Sequence, residues 1–433
     1  MNLDLSKIKK IFFIGIGGIG ISALAKLTQS RGVEVSGLND EEGGKTLDAL
    51  REAGIPVIFQ TDFRGLPEAD LYVYSDAWLY RGPEILASAR ATGKPVLSYF
   101  EALGLFAKEY DVIAVAGVHG KTTTTAMIAD MLIDVGLDPT VVVGSFVEKF
   151  GSNFRAGKGR WLVVEADEYM RHFLNFTPKI TVITNIEADH LDYYKDLADI
   201  QDAFGSLMRQ TGDVIVYNGE DENTCVLVRT YSGTAVDFSR YFDTVPALAV
   251  PGVHNRKNAA AALAVADLVG IDGAAAARSL ADFRGTWRRL EKRGVTPTGT
   301  IVYDDYAHHP TEVRASLEAL RELYPKGEKK IHIIFQPHLY SRTKALWNDF
   351  LTAFGEADTV AFLPIYFARE DPDPEITNNK LAEAIGAHQG SVTAITFEDA
   401  RKYVTGLGLG KDDILVTMGA GEAYKIGDAI LAD

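Results

Sequence analysis

At 433 residues, 47% hydrophobic and 24% charged, the chain has the make-up of an ordinary globular enzyme, long enough for roughly two to three domains with their own cores. A net charge of −15 excludes nucleic acid as the main partner, because a phosphate backbone calls for surplus lysine and arginine. The single cysteine, Cys225, excludes an intrachain disulfide, no run approaches the roughly 18 apolar residues of a membrane span, and M-N-L-D-L-S-K-I-K-K has no signal-peptide pattern, so a cytoplasmic protein is expected.

Strand-like and helix-like segments alternate throughout, which predicts α/β architecture with largely parallel sheets. Ile11–Ile14 reads as a strand that runs into Gly15-Ile16-Gly17-Gly18-Ile19-Gly20 and then a helix to Gln29. Gly15, Gly17 and Gly20 fit G-x-G-x-x-G, a spacing that brings backbone close to a phosphate at a helix N-terminus. The residue placed to meet a ribose, about 20 residues on, is Asn39 at the end of the strand Val33–Leu38, with Asp40 one position late. The motif alone leaves a nicotinamide site open; a second phosphate loop downstream favours a diphosphate-bearing substrate instead. Leu71–Ser75 and Pro95–Leu97 are further predicted strands, with a helix over Pro83–Ala91 between them.

A new strand begins near Lys108–Asp111, and the first domain boundary is placed there. The β-branched run Val112–Val115 breaks into Gly117-Val118-His119-Gly120-Lys121-Thr122-Thr123 and a helix-favouring stretch. This strand–loop–helix junction turns N–H groups toward an anion, with Lys121 as a point charge for a β/γ-phosphate and the Thr122 hydroxyl for Mg²⁺. The first glycine of the usual G-x-x-x-x-G-K-[ST] spacing falls at Val115, so the loop is a shortened form. Two more strands, Trp161–Val164 and Ile180–Thr184, end in acids: Glu165-Ala166-Asp167-Glu168, where a P-loop protein carries a magnesium ligand, and Glu187-Ala188-Asp189-His190. His190 is a candidate for a second divalent ion or for the acceptor amine.

After a strand at Val214–Tyr217, Asn255 is positioned like an N-cap before alanine-rich helices at Asn258–Leu268 and Ala274–Leu280, and asparagine amides also suit an adenine edge. Arg284, Arg288, Arg289 and Arg293 cluster before the second boundary, as clamps for polyphosphate or carboxylate. The pattern then restarts: strand Thr300–Asp304, helix Glu312–Leu323, strand Lys330–Phe335, helix Thr343–Phe354, and strands at Thr359–Leu363, Val392–Ile395 and Asp413–Met418. Asp304-Asp305-Tyr306-Ala307-His308-His309 and Gln336-Pro337-His338-Leu339-Tyr340-Ser341-Arg342 close two of these strands, at the end where α/β proteins gather ligands.

Taken in order, G-I-G-G-I-G, G-V-H-G-K-T-T-T, E-A-D-E, T-N-I-E-A-D-H-L-D, P-G-V-H-N-R-K-N-A, F-R-G-T-W-R-R-L, D-D-Y-A-H-H-P-T-E, F-Q-P-H-L-Y-S-R-T and M-G-A-G-E-A-Y-K resemble the Mur ligases of peptidoglycan synthesis over essentially the whole chain. The resemblance implies three domains: a Rossmann-like UDP-substrate domain over residues 1–108, a central P-loop ATPase over 109–294 and a Rossmann-like amino-acid domain over 295–433. It implies ATP, Mg²⁺ (two ions), UDP-N-acetylmuramate and L-alanine as ligands, and an acyl phosphate made before an amine attacks. A monomer or weak homodimer is expected. Carried over by motif, Lys121 serves the γ-phosphoryl group, Thr122 and Glu165 one Mg²⁺ and His190 the second. Asn255 and Asn258 fall to the adenine, and Asp304 with Arg289 to the ribose and phosphates. Gly15, Gly17, Gly18, Gly20, Asn39 and Ser75 fall to the UDP part, and His308 and Arg342 lie near the amino acid and the muramoyl end.

Three departures stand out. Tyr169-Met170-Arg171-His172-Phe173 follows E-A-D-E where the alanine-adding enzymes have Ser-Asp; the sister enzymes that attach a recycled tripeptide also have Tyr there. The stretch between Arg240 and Pro251 is too short for the small antiparallel sheet usual in the family. Asn39 stands for a common Asp, and Ser75-Asp76-Ala77-Trp78 for a run of smaller residues. Alternatives are therefore the tripeptide ligase, a nicotinamide-dependent oxidoreductase and a P-loop protein that uses ATP as a switch without ligation.

Overall fold

The computed structural model describes residues 3–367, 370–388 and 391–432. Three sheets are built from eighteen strands among the described residues. The first contains β1 (Lys10–Ile14), β2 (Glu34–Asn39), β3 (Val57–Phe59), β4 (Leu71–Tyr74) and β5 (Val96–Ser98), in the order β3-β2-β1-β4-β5 and all parallel. The second contains β6 (Asp111–Ala116), β7 (Thr140–Val147), β8 (Ser152–Arg155), β9 (Trp161–Glu165), β10 (Ile180–Ile183), β11 (Val214–Tyr217) and β12 (Thr234–Asp237), ordered β12-β11-β10-β6-β9-β7-β8. The third contains β13 (Glu291–Val295), β14 (Ile301–Asp305), β15 (Lys330–Phe335), β16 (Thr359–Phe362), β17 (Val392–Ala394) and β18 (Asp413–Met418), ordered β13-β14-β18-β15-β16-β17. β8 and β13, at sheet edges, are the two antiparallel additions.

The central strands are apolar along their length because helices cover both faces of such sheets. β6 sits between β10 and β9, pairing Ile113 with Ile180 and Val163, and Val112–Ala116 are all buried. In the third sheet one face packs an aromatic cluster in which the Phe335 ring meets Phe350, Phe354 and Phe362 at centroid distances of 5.9, 5.1 and 5.7 Å.

The chain divides into two compact units: Met1–Glu187, Leu197–Ala247 and Asn258–Arg284 form the first, and Ala188–Asp196, Leu248–Lys257 and Gly285–Asp433 the second. The first two sheets share one unit. Side chains join them: Lys26, on the helix Ile19–Ser30, donates to Ser152 Oγ at 2.9 Å and Asn153 Oδ1 at 2.7 Å, and Asn153 Nδ2 donates to Ser22 Oγ at 3.0 Å and to Ile19 O.

Several sequence expectations are corrected. The break expected after Gly294 falls inside β13, which pairs with β14. The helix expected over Thr343–Phe354 is two helices, Tyr340–Ala345 and Trp347–Ala353, interrupted where Leu346 leaves helical geometry at φ −103° and ψ 20°. Asn255 is no N-cap: the helix already starts at Val253, and Asn255 lies in its first turn with Nδ2 donating to Pro251 O at 2.7 Å. Between β12 and that helix there is a 3₁₀ segment, Phe238–Thr244, and no strand.

The helix Lys121–Asp134 is buried from Thr122 to Leu132, and that includes the carboxyl of Asp130. Its Oδ1 has no hydrogen-bond partner, and burial pushes the group up to about 7 despite Lys149. The folded state therefore keeps this proton across a range where the unfolded chain has lost it. The stability it confers is complete below the unfolded value of 3.8 and is lost as pH rises through about 7. Asp130→Asn is expected to remove that part of the slope, a few kcal/mol at most. Thermal melts at pH 5 and pH 8 check it: equal loss of Tm in both proteins would show that Asp130 does not titrate in this way.

Candidate active site

In the first sheet the strand order reverses between β1 and β4, and the loops after these strands diverge to leave a crevice at their carboxyl ends. Gly15 through Gly20 follow β1 and Ser75 follows β4. Gly18 caps the helix Ile19–Ser30 without a side chain, so the first N–H groups face outward. Asn39, buried at the end of β2, accepts from Gly17 N–H at 3.0 Å and donates to Glu41 O at 2.9 Å. Its amide thus holds the glycine loop from beneath. Thr46 Oγ1 donates to Gly17 O at 2.6 Å from the other side. A Cβ on Gly20 would meet the Tyr99 ring at 2.8 Å, so the loop lies directly on that ring.

The second sheet repeats the geometry with β6 central. Gly117 and Gly120 take φ of +126° and +84°, conformations that side chains resist, and Gly120 caps the helix Lys121–Asp134 in left-handed geometry without a side-chain cap. The loop between them is clamped by the end of β10. His119 N–H donates to Asn185 Oδ1 at 2.9 Å, and His119 O accepts from Thr184 Oγ1 at 2.6 Å and Asn185 Nδ2 at 2.8 Å. Val118 N–H donates to Asn185 O at 3.2 Å, and His119 Nε2 lies 2.9 Å from Glu187 Oε2. Asn258 faces Gly120 closely enough that a Cβ there would collide with its amide. Thr123, the third residue of that helix, is buried.

The acids at the end of β9 and just beyond it take separate positions. Glu165 Oε1 accepts from Thr122 Oγ1 at 3.0 Å and its Oε2 from Gly144 N–H at 2.7 Å, so the hydroxyl and the carboxylate stand side by side. Lys121 Nζ lies 2.8 Å from Glu168 Oε2 and donates to Gly117 O at 2.6 Å and Val118 O at 3.1 Å. Burial works against its charge, but Glu168, Asp167 and Glu165 outweigh it and hold the ammonium above the ordinary lysine value. Lys121 is thus pinned over the phosphate loop as a permanent cation. Tyr99 is pushed up by burial and by Glu165 and Asp167, which places one side chain within the field of the acidic loop and in contact with the Gly15–Gly20 loop.

The second unit gathers another group of side chains. Arg342 is buried, with Nε 3.0 Å from Asp189 Oδ1, Nη2 3.2 Å from Asp189 Oδ2 and Nη1 donating to His338 Nδ1 at 3.0 Å. Burial opposes the charge of Asp189, yet Arg342 holds its carboxyl well below the usual carboxylate range. The expected amino-acid clamp is therefore already engaged by an internal carboxylate, and its fork fixes the loop that carries His190. His190 itself adopts φ +53°, with its carbonyl accepting from the N–H groups of Tyr193 and Tyr194 at 2.9 Å each. Ala188, Leu191, Leu339, Ala345 and Leu346 line a small cavity together with the polar Asp189, His190, Asp192, Ser341 and Arg342. His308 donates from Nδ1 to Tyr306 O at 3.0 Å, and burial pushes it down to about 4, leaving a neutral ring with a lone pair on Nε2.

Asp304, which the resemblance assigns to the ribose, is anchored in the third sheet. It is buried with Oδ2 accepting from Arg288 Nε at 2.7 Å and Oδ1 from Thr417 Oγ1 at 2.7 Å, so both oxygens are used inside the third sheet. Arg288, not Arg289, is its partner, and also donates to Gly421 O at 3.0 Å and Gly419 O at 2.6 Å. Arg289 lies over the Tyr306 ring at 5.1 Å. The sequence pattern assigns no role of their own to Asn185, Asp189 or Tyr99. The first two follow the same strand end as His190, and that position was the available signal; nothing local marks Tyr99.

Comparison with known proteins covers nearly the whole chain. Residues 10–111 match the Mur ligase family, catalytic domain; residues 115–242 the Mur ligase middle domain; and residues 288–421 the Mur ligase, glutamate ligase domain. The chain is 39% identical to a UDP-N-acetylmuramate–L-alanine ligase of Paenarthrobacter aurescens, over 99% of this chain and 97% of that one. It is 38% identical to the protein of that name from Bdellovibrio bacteriovorus, over 98% of each. The crystal structure of UDP-N-acetylmuramate-alanine ligase from Thermotoga maritima superimposes with a TM-score of 0.81 at 29% identity, over 98% of both chains.

Proposed function

The chain belongs to the Mur ligase family, and on that premise we propose that it joins L-alanine to UDP-N-acetylmuramate with ATP, in peptidoglycan precursor synthesis. The observation that carries this reading is a single unit with two glycine-rich loops that each open a helix, Gly15–Gly20 and Gly117–Thr122, one resting on Tyr99 and the other beside acids that act on the same ring. A nicotinamide oxidoreductase has no use for the second loop.

The muramoyl carboxylate is a poor electrophile, so one of its oxygens attacks the γ-phosphorus of ATP and ADP leaves. The acyl phosphate then accepts the alanine amine at its carbonyl carbon; phosphate leaves and the amine gives up a proton. Lys121 and the open N–H groups of its helix stabilise charge on the transferring phosphoryl oxygens. Thr122 and Glu165, a hydroxyl and a carboxylate 3.0 Å apart, are a fitting oxygen pair for Mg²⁺. When bound, that ion neutralises phosphate oxygens; a second ion is assigned to His190. On the acceptor side, neutral His308 takes the amine proton at Nε2, while the cavity beside Leu339 and Ala345 suits a side chain as small as a methyl group. Among the described residues no helix is long and apolar enough to cross a membrane.

Incubation of the protein with UDP-N-acetylmuramate, ATP, Mg²⁺, mixed amino acids and the tripeptide L-Ala–D-Glu–diaminopimelate, followed by mass spectrometry, tests this. The L-alanyl product with equimolar ADP is expected. A tripeptide product formed as fast as the alanyl one moves the chain to the recycling ligases, and no product overturns the reading.

A further inference from the structure

His172 lies on the segment that departs most from the alanine-adding pattern, and its placement is costly. The preceding residues, Met170 and Arg171, both take left-handed backbone, at φ +51° and +59°. Neither is glycine, and such geometry persists only where the surroundings impose it. Here they do: Arg171 N–H donates to Glu168 O at 2.9 Å, its guanidinium reaches Asp199 at 2.5 Å and Asp202 at 2.9 Å, and Phe173 N–H donates to Asp167 O at 2.9 Å. The turn delivers the His172 ring, 9% exposed, into a stack on Phe100 with centroids 3.9 Å apart and planes 13° from parallel.

From there the imidazole reaches both loops of the proposed site. Nε2 is 2.9 Å from Asp76 Oδ2, in the turn after β4. Nδ1 is 3.9 Å from Asp167 Oδ2, in the acidic loop after β9, and has no hydrogen-bond partner of its own. Burial opposes a charge on this ring, but Asp167 and Asp76 push it up to about 9, so it is a cation at neutral pH. Asp76 in turn governs the sugar-nucleotide side. Its carbonyl accepts from Leu79 N–H at 3.0 Å in the turn that carries Trp78, and Trp78 packs where a Cβ on Gly15 would stand.

We propose that His172 is a positioning residue for the nucleotide-sugar acid: its imidazolium ties the Asp76 turn to the acidic loop and so sets the distance from the UDP-binding glycines to the point of phosphoryl transfer. The proposal rests on the ligase reading above. It separates His172 from Lys121 and Glu165, which hold ATP and its metal, because neither Asp76 nor Phe100 belongs to the phosphate loop.

The test compares wild type with His172→Gln, which keeps a donor but loses the charge, and with Asp76→Asn, on a side chain open enough to change without endangering the fold. Steady-state ligation is measured with UDP-N-acetylmuramate and ATP varied separately. Both variants are expected to raise KM for the nucleotide sugar about tenfold or more, the effect of losing a charged hydrogen bond, with KM for ATP within twofold. The double variant is expected to be no worse than either single one, since both remove the same link. Additive effects, a shift in both KM values alike, or an unchanged KM for the nucleotide sugar would overturn the proposal. Wild-type protein that makes no product would instead take down the ligase reading and this proposal together.

Discussion

Lys121→Ala is expected to lower kcat by about 10²–10³-fold while the protein still folds. Nζ is held by two loop carbonyls and by Glu168, so its charge is in place before any phosphate arrives. Preorganised charge of this kind acts where negative charge moves in the transition state, and no reorganisation is spent on it during reaction. Removing Lys121 also takes away the ammonium 2.8 Å from Glu168, a residue 2% exposed. Lys121→Ala/Glu168→Gln is therefore expected to recover any lost stability but not the rate. Product formation at saturating ATP within threefold of wild type would remove Lys121 from phosphoryl transfer.

Arg342→Met carries the second large effect, and it separates two roles for this residue. A clamp on the amino-acid carboxylate predicts a raised KM for L-alanine and an intact fold. The observed pair predicts otherwise: the side chains of Arg342 and Asp189 are 5% and 8% exposed, and breaking such a pair leaves a buried carboxylate uncompensated. The cost is about 3–5 kcal/mol. Arg342→Met/Asp189→Asn removes both charges and is expected to regain most of that loss. Denaturant unfolding of the three proteins checks it; a stable Arg342→Met protein whose sole defect is weak alanine binding would restore the clamp.

The parts of the fold legible in the sequence were those whose cause is local. Val112–Ala116 reads as a buried strand because a parallel strand covered on both faces is apolar throughout. The glycines of both loops announce themselves because the backbone there has little alternative. Edge strands carry no such mark: Thr234–Asp237 and Glu291–Val295 are short and polar on their open sides, so their pairing is set by the sheet and not by their own pattern. Long-range side-chain partners were beyond reach for the same reason. Arg342 meets Asp189 across 153 residues, and periodicity has nothing to say about which carboxylate a guanidinium finds. Asp304 shows the converse. Its position at a strand end is the one ligands favour, and that position does not tell that Arg288 and Thr417 each donate to one of its oxygens.

The anchorage of Asn153 and Lys26 on the helix Ile19–Ser30 bears on the entropy of the reaction. Within the first unit the Gly15–Gly20 loop and the helix behind it are fastened to the β7–β8 hairpin, which borders the sheet that carries the phosphate loop. The two glycine-rich loops, to which the acid and the nucleotide are proposed to bind, are thus brought together when the chain folds. The loss of freedom is met once, at folding, and need not be drawn from substrate affinity in every turnover.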